Sequence, residues 1–483
     1  MSFFPFDNDD EDDEQEFDGD IEELVKTYEA RDKDAFSATE LLFIFRFYSL
    51  HEFDTEKPED SKKMKHVLVE GISQFPHMAV FAIHMAEVCI GEENYRMARK
   101  YIQEALAYNP MDTMLMLFQA ILLSIQGKVN KADELLETIL ANTINDNESL
   151  EEMLEVCMFH HQIGLARPIF DQCLEKGVKV EHILETFYQL NGDSEDLEAF
   201  LPMAIAVVDK DPYSAEAWYM LGNIYVELKN TEKSEWAFDY ACTINDKFFE
   251  ARVGFLESMY ENEKYSSFIP AYHEAEKQFG ANMLGTVKGL LAWSLYEIGE
   301  VKESRATYHQ VLKKYPNDKE SWYSLGLTYH YDKKYQQAIP FLLNAYNLGS
   351  DEPDYGIVLA SAYFGTQEYP KALEIYDKLS SEYPENPEVW LDWSTCVYET
   401  GTPDEALMIL EAGLKHTPYS VSLMYRFAAL LYLTRQHKSA LFVMASALQI
   451  NPQEHTQMFT FAPELKKSLP ILKLIAQYTN PEI

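Results

Sequence analysis

The sequence predicts an all-α solenoid of about 12 helical hairpins. Three observations predict it. Prolines recur on a 34-residue beat, and small and aromatic residues recur in register with them. The composition is 47% hydrophobic and 13% aromatic, yet Gly (19) and Pro (20) are scarce among 483 residues. Such a chain has ample apolar surface to bury and little material for long loops. At this length a repeat array competes with two to four separate domains, because a solenoid has no single core to outgrow.

The beat is carried by Pro76, Pro110, Pro212, Pro316, Pro384, Pro418 and Pro452, with gaps of 34, 102, 104, 68, 34 and 34. All but one are multiples of 34, and the exception is two residues too long. Proline lacks an N–H and clashes with the preceding turn, so it ends helices. A 34-residue beat of helix ends is a 34-residue helical hairpin. With these prolines at position 32, repeats start at 79, 113, 147, 181, 215 and 249 and resume at 285, 319, 353, 387 and 421. The two extra residues fall near Gly280–Asn282.

Other columns keep the same frame. Position 4 holds Trp218, Trp322 and Trp390; position 11 holds Tyr225, Tyr329 and Tyr363. Position 8 is small at Ala86, Ala120, Gly222, Ala292, Gly326 and Ala360, and position 20 at Ala98, Ala132, Ala166, Ser234, Ser304, Ala338 and Ala372. Small residues let the two helices of a hairpin approach closely, and the aromatics fill the space around that contact. Each hairpin has an apolar face that only a neighbour can cover.

These residues resemble the tetratricopeptide repeat (TPR) pattern W-x2-L-G-x2-Y…A-x3-F…A. The best match runs Trp218, Leu221, Gly222, Tyr225, Ser234, Phe238 and Ala241, and it recurs as Trp322, Leu325, Gly326, Tyr329, Ala338, Leu342 and Ala345. The resemblance covers residues 38–452, and it implies a right-handed TPR superhelical solenoid. Repeat 181–214 departs from the pattern, with Leu184, Phe187 and Tyr188 at positions 4, 7 and 8 and a weak turn at Asn191–Ser194, where a kink is expected.

Along the chain the elements read as follows. Residues 1–20 hold ten Asp or Glu and no Lys or Arg, so a disordered acidic tail is expected. Its Phe3, Phe4, Phe6 and Phe17 form either a docking motif or a fold-back onto the first hairpin. Residues 21–76 read as an N-terminal helix and a divergent first hairpin, with a longer loop at Glu52–Asp60. TPR-like repeats fill 79–282 and regular ones 285–452. Residues 453–483 read as C-terminal capping helices, interrupted near Pro463 and Pro470 and polar at Lys466, Lys467 and Lys473.

The net charge of −40 opposes binding to nucleic acid and to anionic membranes, and it favours basic partners. No run of 18 apolar residues occurs, so no membrane span is expected. The N-terminus lacks the pattern of a secretory signal. Five dispersed cysteines (Cys89, Cys157, Cys173, Cys242 and Cys396) suit a reducing compartment, and a cytoplasmic location is expected. The cysteines read as core residues.

No phosphate-binding, dinucleotide, zinc-protease or nucleophile-elbow motif occurs, so no enzyme, metal or cofactor is expected. His160 and His161 are adjacent, hence about 100° apart on a helix, and read as hairpin-turn residues. Glu151, Glu152 and Glu155 read as a solvated face.

The resemblance also implies that each repeat's first helix lines a concave groove through positions 2, 5, 9 and 12, with 13 nearby. There stand Tyr219, Asn223, Glu257, Tyr260, Trp293, Tyr296, Tyr323, His330, Phe364, Tyr398 and Tyr425, the expected partner-binding residues. Acidic residues share these positions, among them Glu297, Glu320, Asp354 and Glu388; Lys and Arg are absent from them in 215–452, and Arg426 lies one place off. The chaperone-tail clamp of the family needs Lys, Asn and Arg; Asn223 alone matches and Tyr219 replaces the lysine. The expected function is therefore a non-enzymatic scaffold or adaptor holding a partner protein or a basic, apolar peptide. The alternative is a peptide-responsive sensor whose curvature switches a partner. The oligomeric state and the partner's identity stay open.

Overall fold

The computed structural model describes residues 21–31, 35–55, 58–143, 146–178, 180, 188, 194–280, 285, 287–349 and 352–479. Every regular element among the described residues is helical. The expected acidic tail, the 34-residue frame at Leu184 and Phe187, and most of the Gly280–Asn282 insertion lie outside them.

The chain divides into two compact units, residues 1–258 and 259–483. The first holds a leading helix, Ile21–Ala30, and four hairpins in succession: Ala38–Thr55 with Pro58–Gln74, Ala79–Gly91 with Tyr95–Leu106, Thr113–Ile125 with Val129–Asn142, and Asn147–Phe159 with Ile163–Lys176. Helix Ser194–Lys210 follows, then Ala215–Glu227 with Thr231–Ile244. The division falls within helix Phe249–Glu261, one repeat earlier than the sequence boundary near residue 282.

The second unit continues from Tyr265–Phe279 through five hairpins: Lys288–Glu297 with Val301–Lys314, Lys319–Tyr331 with Tyr335–Leu348, Pro353–Gly365 with Tyr369–Glu382, Pro387–Thr400 with Pro403–His416, and Val421–Leu433 with His437–Ile450. The C-terminal segment is broken as its prolines require: 3-10 turns at Pro452–His455 and Pro463–Lys467 alternate with helices Thr456–Phe461 and Leu469–Thr479.

Local chemistry sets the ends of each hairpin. Asp112, Asp146, Ser214 and Asp318 all stand at position 34, and each side chain accepts the backbone N–H three residues on, capping the next first helix. Each such cap contributes about 1 kcal/mol. Inside the hairpin the chain reverses through one left-handed residue at position 15: Glu93, Gly127, His161, Lys229, Glu263, Gly299, Lys333, Gln367 and Arg435 all have positive φ. Glu263 and Gly299 are two residues further apart than their neighbours in this series, which places the insertion between them. Thr402 and Glu405 replace this turn in one repeat with a reciprocal capping box.

The small columns work as helix contacts. A Cβ on Gly222 would sit 2.5 Å from the Phe238 ring, and one on Gly326 would sit 2.5 Å from Leu342. Position 20 is sealed: Ala98, Ala132, Ala166, Ser234, Ser304, Ala338 and Ala372 are fully buried. All five cysteines are buried and free, and burial raises the pKa of each thiol. They are core residues and poor nucleophiles. No helix among the described residues is long and apolar enough to cross a membrane.

Candidate functional site

In residues 259–483 the first helices of successive hairpins pack directly on one another, from Lys288–Glu297 through Val421–Leu433. In a curved stack the closer-spaced layer is the inner one. Three side-chain ties cross it. The Tyr323 and Tyr355 rings lie 4.6 Å apart, His330 Nε2 lies 3.1 Å from Ser361 Oγ, and Arg426 donates to Thr395 Oγ1 at 2.5 Å.

The position-12 residues share one arrangement that the sequence reading missed. In four repeats of residues 259–483 the position-12 residue packs its ring against position 17, the first residue of its own second helix. Tyr260 meets Tyr265 at 5.7 Å, His330 meets Tyr335 at 5.1 Å, Phe364 meets Tyr369 at 5.6 Å and Tyr432 meets His437 at 4.3 Å. The position-12 rings of these pairs are half-buried. The signal was present: Tyr265, Tyr335 and Tyr369 recur in the repeat frame. In residues 259–483 two repeats lack the position-17 ring, having Val301 and Pro403 there. Tyr398 takes Phe461 of the C-terminal segment instead, at 5.4 Å. Tyr296 leans on Trp293, at 5.6 Å and 37°.

The remaining expected residues separate by environment. Tyr219 and Asn223 are half-buried, and Tyr219 packs on Phe238 (5.7 Å) and Phe248 (4.9 Å) within the first unit. Glu257 is exposed. Trp293 is half-buried and edge-on to Tyr331 at 6.3 Å. Tyr425 is a correction: it is 0% exposed, and its hydroxyl donates to the Asn451 carbonyl at 2.9 Å. The C-terminal segment covers this last repeat through Met458, Leu465 and Ile471, so position 5 is core there.

The field over the inner layer of the second unit is negative. Burial first, then Asp354, pushes the Tyr323 hydroxyl well above its ordinary pKa, and Glu388 adds to the effect. Tyr260 is pushed up to about 12 by burial, with Tyr265, Glu261 and Glu297 adding to it. Cations that reach this layer are already engaged. Arg305 stacks 3.7 Å from the Tyr329 centroid and donates to the Thr328 carbonyl and to Asp332, both at 2.7 Å. Arg426 lies 4.1 Å from the Phe461 ring, in the field of the largely buried Asp392.

The first unit holds a feature that corrects the reading of Glu151, Glu152 and Glu155 as a solvated face. All three are half-buried, and burial followed by Glu151 and Glu152 pushes Glu155 up to about 7. On a nearby first helix Glu87 is only 2% exposed, with His84 Nδ1 at 2.9 Å. His160 and His161 do stand at the hairpin turn, and burial lowers His160 to about 4. Among the described residues no His, Cys, Asp or Glu cluster has metal-binding geometry.

Comparison with known proteins agrees with this repeat. The tetratricopeptide repeat families match residues 215–248, 290–353 and 357–421. The chain is 21% identical over 357 residues to the TPR repeat-containing protein YpiA of Bacillus subtilis (strain 168), covering 71% of this chain and 80% of that one. Among solved structures it is similar to yeast Tom70 (14% identity, TM-score 0.42, 91% of this chain and 99% of the other). It is also similar to the Cut9–Hcn1 hetero-tetramer of APC/C (15% identity, TM-score 0.39, 85% and 99%). Hairpins of the same design run on both sides of the matched spans, and the chain is a tetratricopeptide-repeat protein.

Proposed function

We propose that this protein is a scaffold that holds a partner protein through the inner layer of its first helices, and that the partner presents a basic, apolar segment. The observation that carries this reading is the pairing of Tyr323 with Tyr355 beside Asp354 and Glu388: aromatic area and negative field occupy one strip of the inner layer. Aromatic rings supply buried area at low entropic cost, and carboxylates steer and pair cations. The formal charge of −40 acts in the same direction at long range. A cytoplasmic setting accords with five free thiols.

The test uses the full chain with a photo-cross-linking amino acid at position 323, and separately Tyr323→Ala and Asp354→Asn. The reading expects a cross-linked basic partner, weaker binding in both variants, stronger salt dependence in the parent than in Asp354→Asn, and unchanged helical circular dichroism. A partner that binds both variants like the parent sinks it.

A further inference from the structure

The 285–314 hairpin differs from its neighbours in one respect. Its position-12 ring, Tyr296, has Val301 where other repeats have an aromatic partner, so no position-17 ring covers it. Trp293 lies beside it at 5.6 Å, and Tyr331 of the next first helix, 58% exposed, is edge-on to Trp293 at 6.3 Å.

These faces carry no cation. Elsewhere in the chain tyrosines are stacked by their own basic residues: Lys233 over Tyr225, Arg305 over Tyr329, Lys371 over Tyr363. No described Lys or Arg lies over Trp293, Tyr296 or Tyr331. Arg305, which does act on Tyr296, is committed to Tyr329, Thr328 and Asp332, and Lys334 also holds Asp332 at 2.9 Å.

A carboxylate stands next to the faces. Glu297 is exposed, and it has no hydrogen bond or ion pair among the described residues. It ends the helix that carries Trp293 and Tyr296, and its charge raises the pKa of Tyr260, Tyr265 and Tyr296. Glu261 and Glu263 add negative charge at the adjoining turn, against Lys264 on the same turn.

We infer that Trp293, Tyr296, Tyr331 and Glu297 form a binding site for one arginine side chain of a partner segment. This rests on the inner layer being the partner-binding surface. The chemistry is specific to that ligand. A planar guanidinium stacks on tilted aromatic faces and meets one carboxylate with two parallel N–H donors, whereas an ammonium is a hydrated point charge. The same unit already makes this pattern for itself, with Arg305 over Tyr329 and its nitrogens on Asp332 and Thr328. The Trp293 site offers aromatic rings and a carboxylate of the same kinds.

The experiment titrates the full chain with the five-residue peptides Gly-Leu-Xaa-Leu-Gly, where Xaa is arginine, lysine or citrulline. Fluorescence anisotropy gives the affinity. Fluorine NMR of 5-fluorotryptophan-labelled protein locates the peptide, with the Trp293 resonance assigned by its loss in Trp293→Phe. The arginine peptide is expected to move the Trp293 resonance and to bind about tenfold tighter than the citrulline peptide at low salt. Glu297→Gln should cut that preference to about twofold or less. Equal binding of arginine and citrulline, a lysine peptide that binds tighter than arginine, or no movement of Trp293 at about 10 mM peptide overturns the site. A peptide whose affinity falls in Tyr323→Ala but not in Glu297→Gln rejects this site while the inner-layer reading stands. A peptide indifferent to both substitutions rejects the inner-layer reading itself.

Discussion

Trp390 donates its indole N–H to the carbonyl of Pro384 at 2.9 Å, six residues back and in the preceding repeat. Trp218 does the same to Pro212 at 3.0 Å and Trp322 to Pro316 at 2.8 Å. The bond joins the two most visible columns of the sequence. Proline ends one repeat, and the tryptophan that opens the next satisfies the carbonyl left without a helical partner. These three links between repeats are thus both packing contacts and hydrogen bonds.

Trp390→Phe keeps an aromatic ring in the buried slot and removes this donor. The expected loss is about 1 kcal/mol for the bond, plus a smaller packing loss. The half-exposed Trp236 provides the comparison, since Trp236→Phe should change stability by less than about 0.5 kcal/mol. Urea unfolding of the two variants side by side measures the difference.

Gly326→Ala tests the close approach of the two helices in the 319–348 hairpin. The new methyl would overlap the Leu342 side chain, so a loss of about 1–3 kcal/mol is expected. Leu342→Ala on its own opens a cavity at a fully buried site. The double variant should be more stable than the sum of the two single losses predicts, because each substitution relieves the other. Strict additivity would mean that the glycine is not there for helix approach.

Lys333 sits at φ 58° in the hairpin turn. The left-handed conformation costs an L side chain about 1 kcal/mol, and glycine avoids that cost while gaining freedom in the unfolded chain. Lys333→Gly is expected to be neutral or stabilising by up to about 1 kcal/mol, in contrast to the usual effect of introducing glycine. Thermal unfolding reads it directly.

Glu155→Gln carries a pH signature. The folded pKa of about 7 lies above the ordinary carboxyl value, so the charged form is disfavoured in the fold. Stability from this group is complete below about pH 4.5 and falls as pH rises toward 7. The variant should therefore unfold at a higher temperature than the parent at pH 8, and the gap should close by pH 4. His160, lowered to about 4, acts oppositely and destabilises the fold as pH falls below 6.5. A Glu155→Gln gap independent of pH would place the gain in packing rather than charge.

Much of this architecture was legible because its key positions need rare side chains. Proline recurs where second helices stop, at position 32, and tryptophan at position 4 both fills a slot and donates from its far edge. The position-15 turn was not legible, since it asks for a backbone angle and accepts Glu, His, Lys, Gln or Arg alike. Tyr323 and Trp293 are half-buried on first helices, whereas Tyr425, at the same repeat position as Tyr323, is core. A repeat frame describes interior repeats, and the last one is covered by a C-terminal segment that follows no repeat. The position-17 rings were overlooked because position 12 was read one helix at a time, while the two rings meet across a turn.

The contact of Phe461 with Tyr398 and Arg426 gives the inner layer a terminus. A partner segment held as proposed would meet this phenylalanine before the last repeat, so the point where it must stop would set its register.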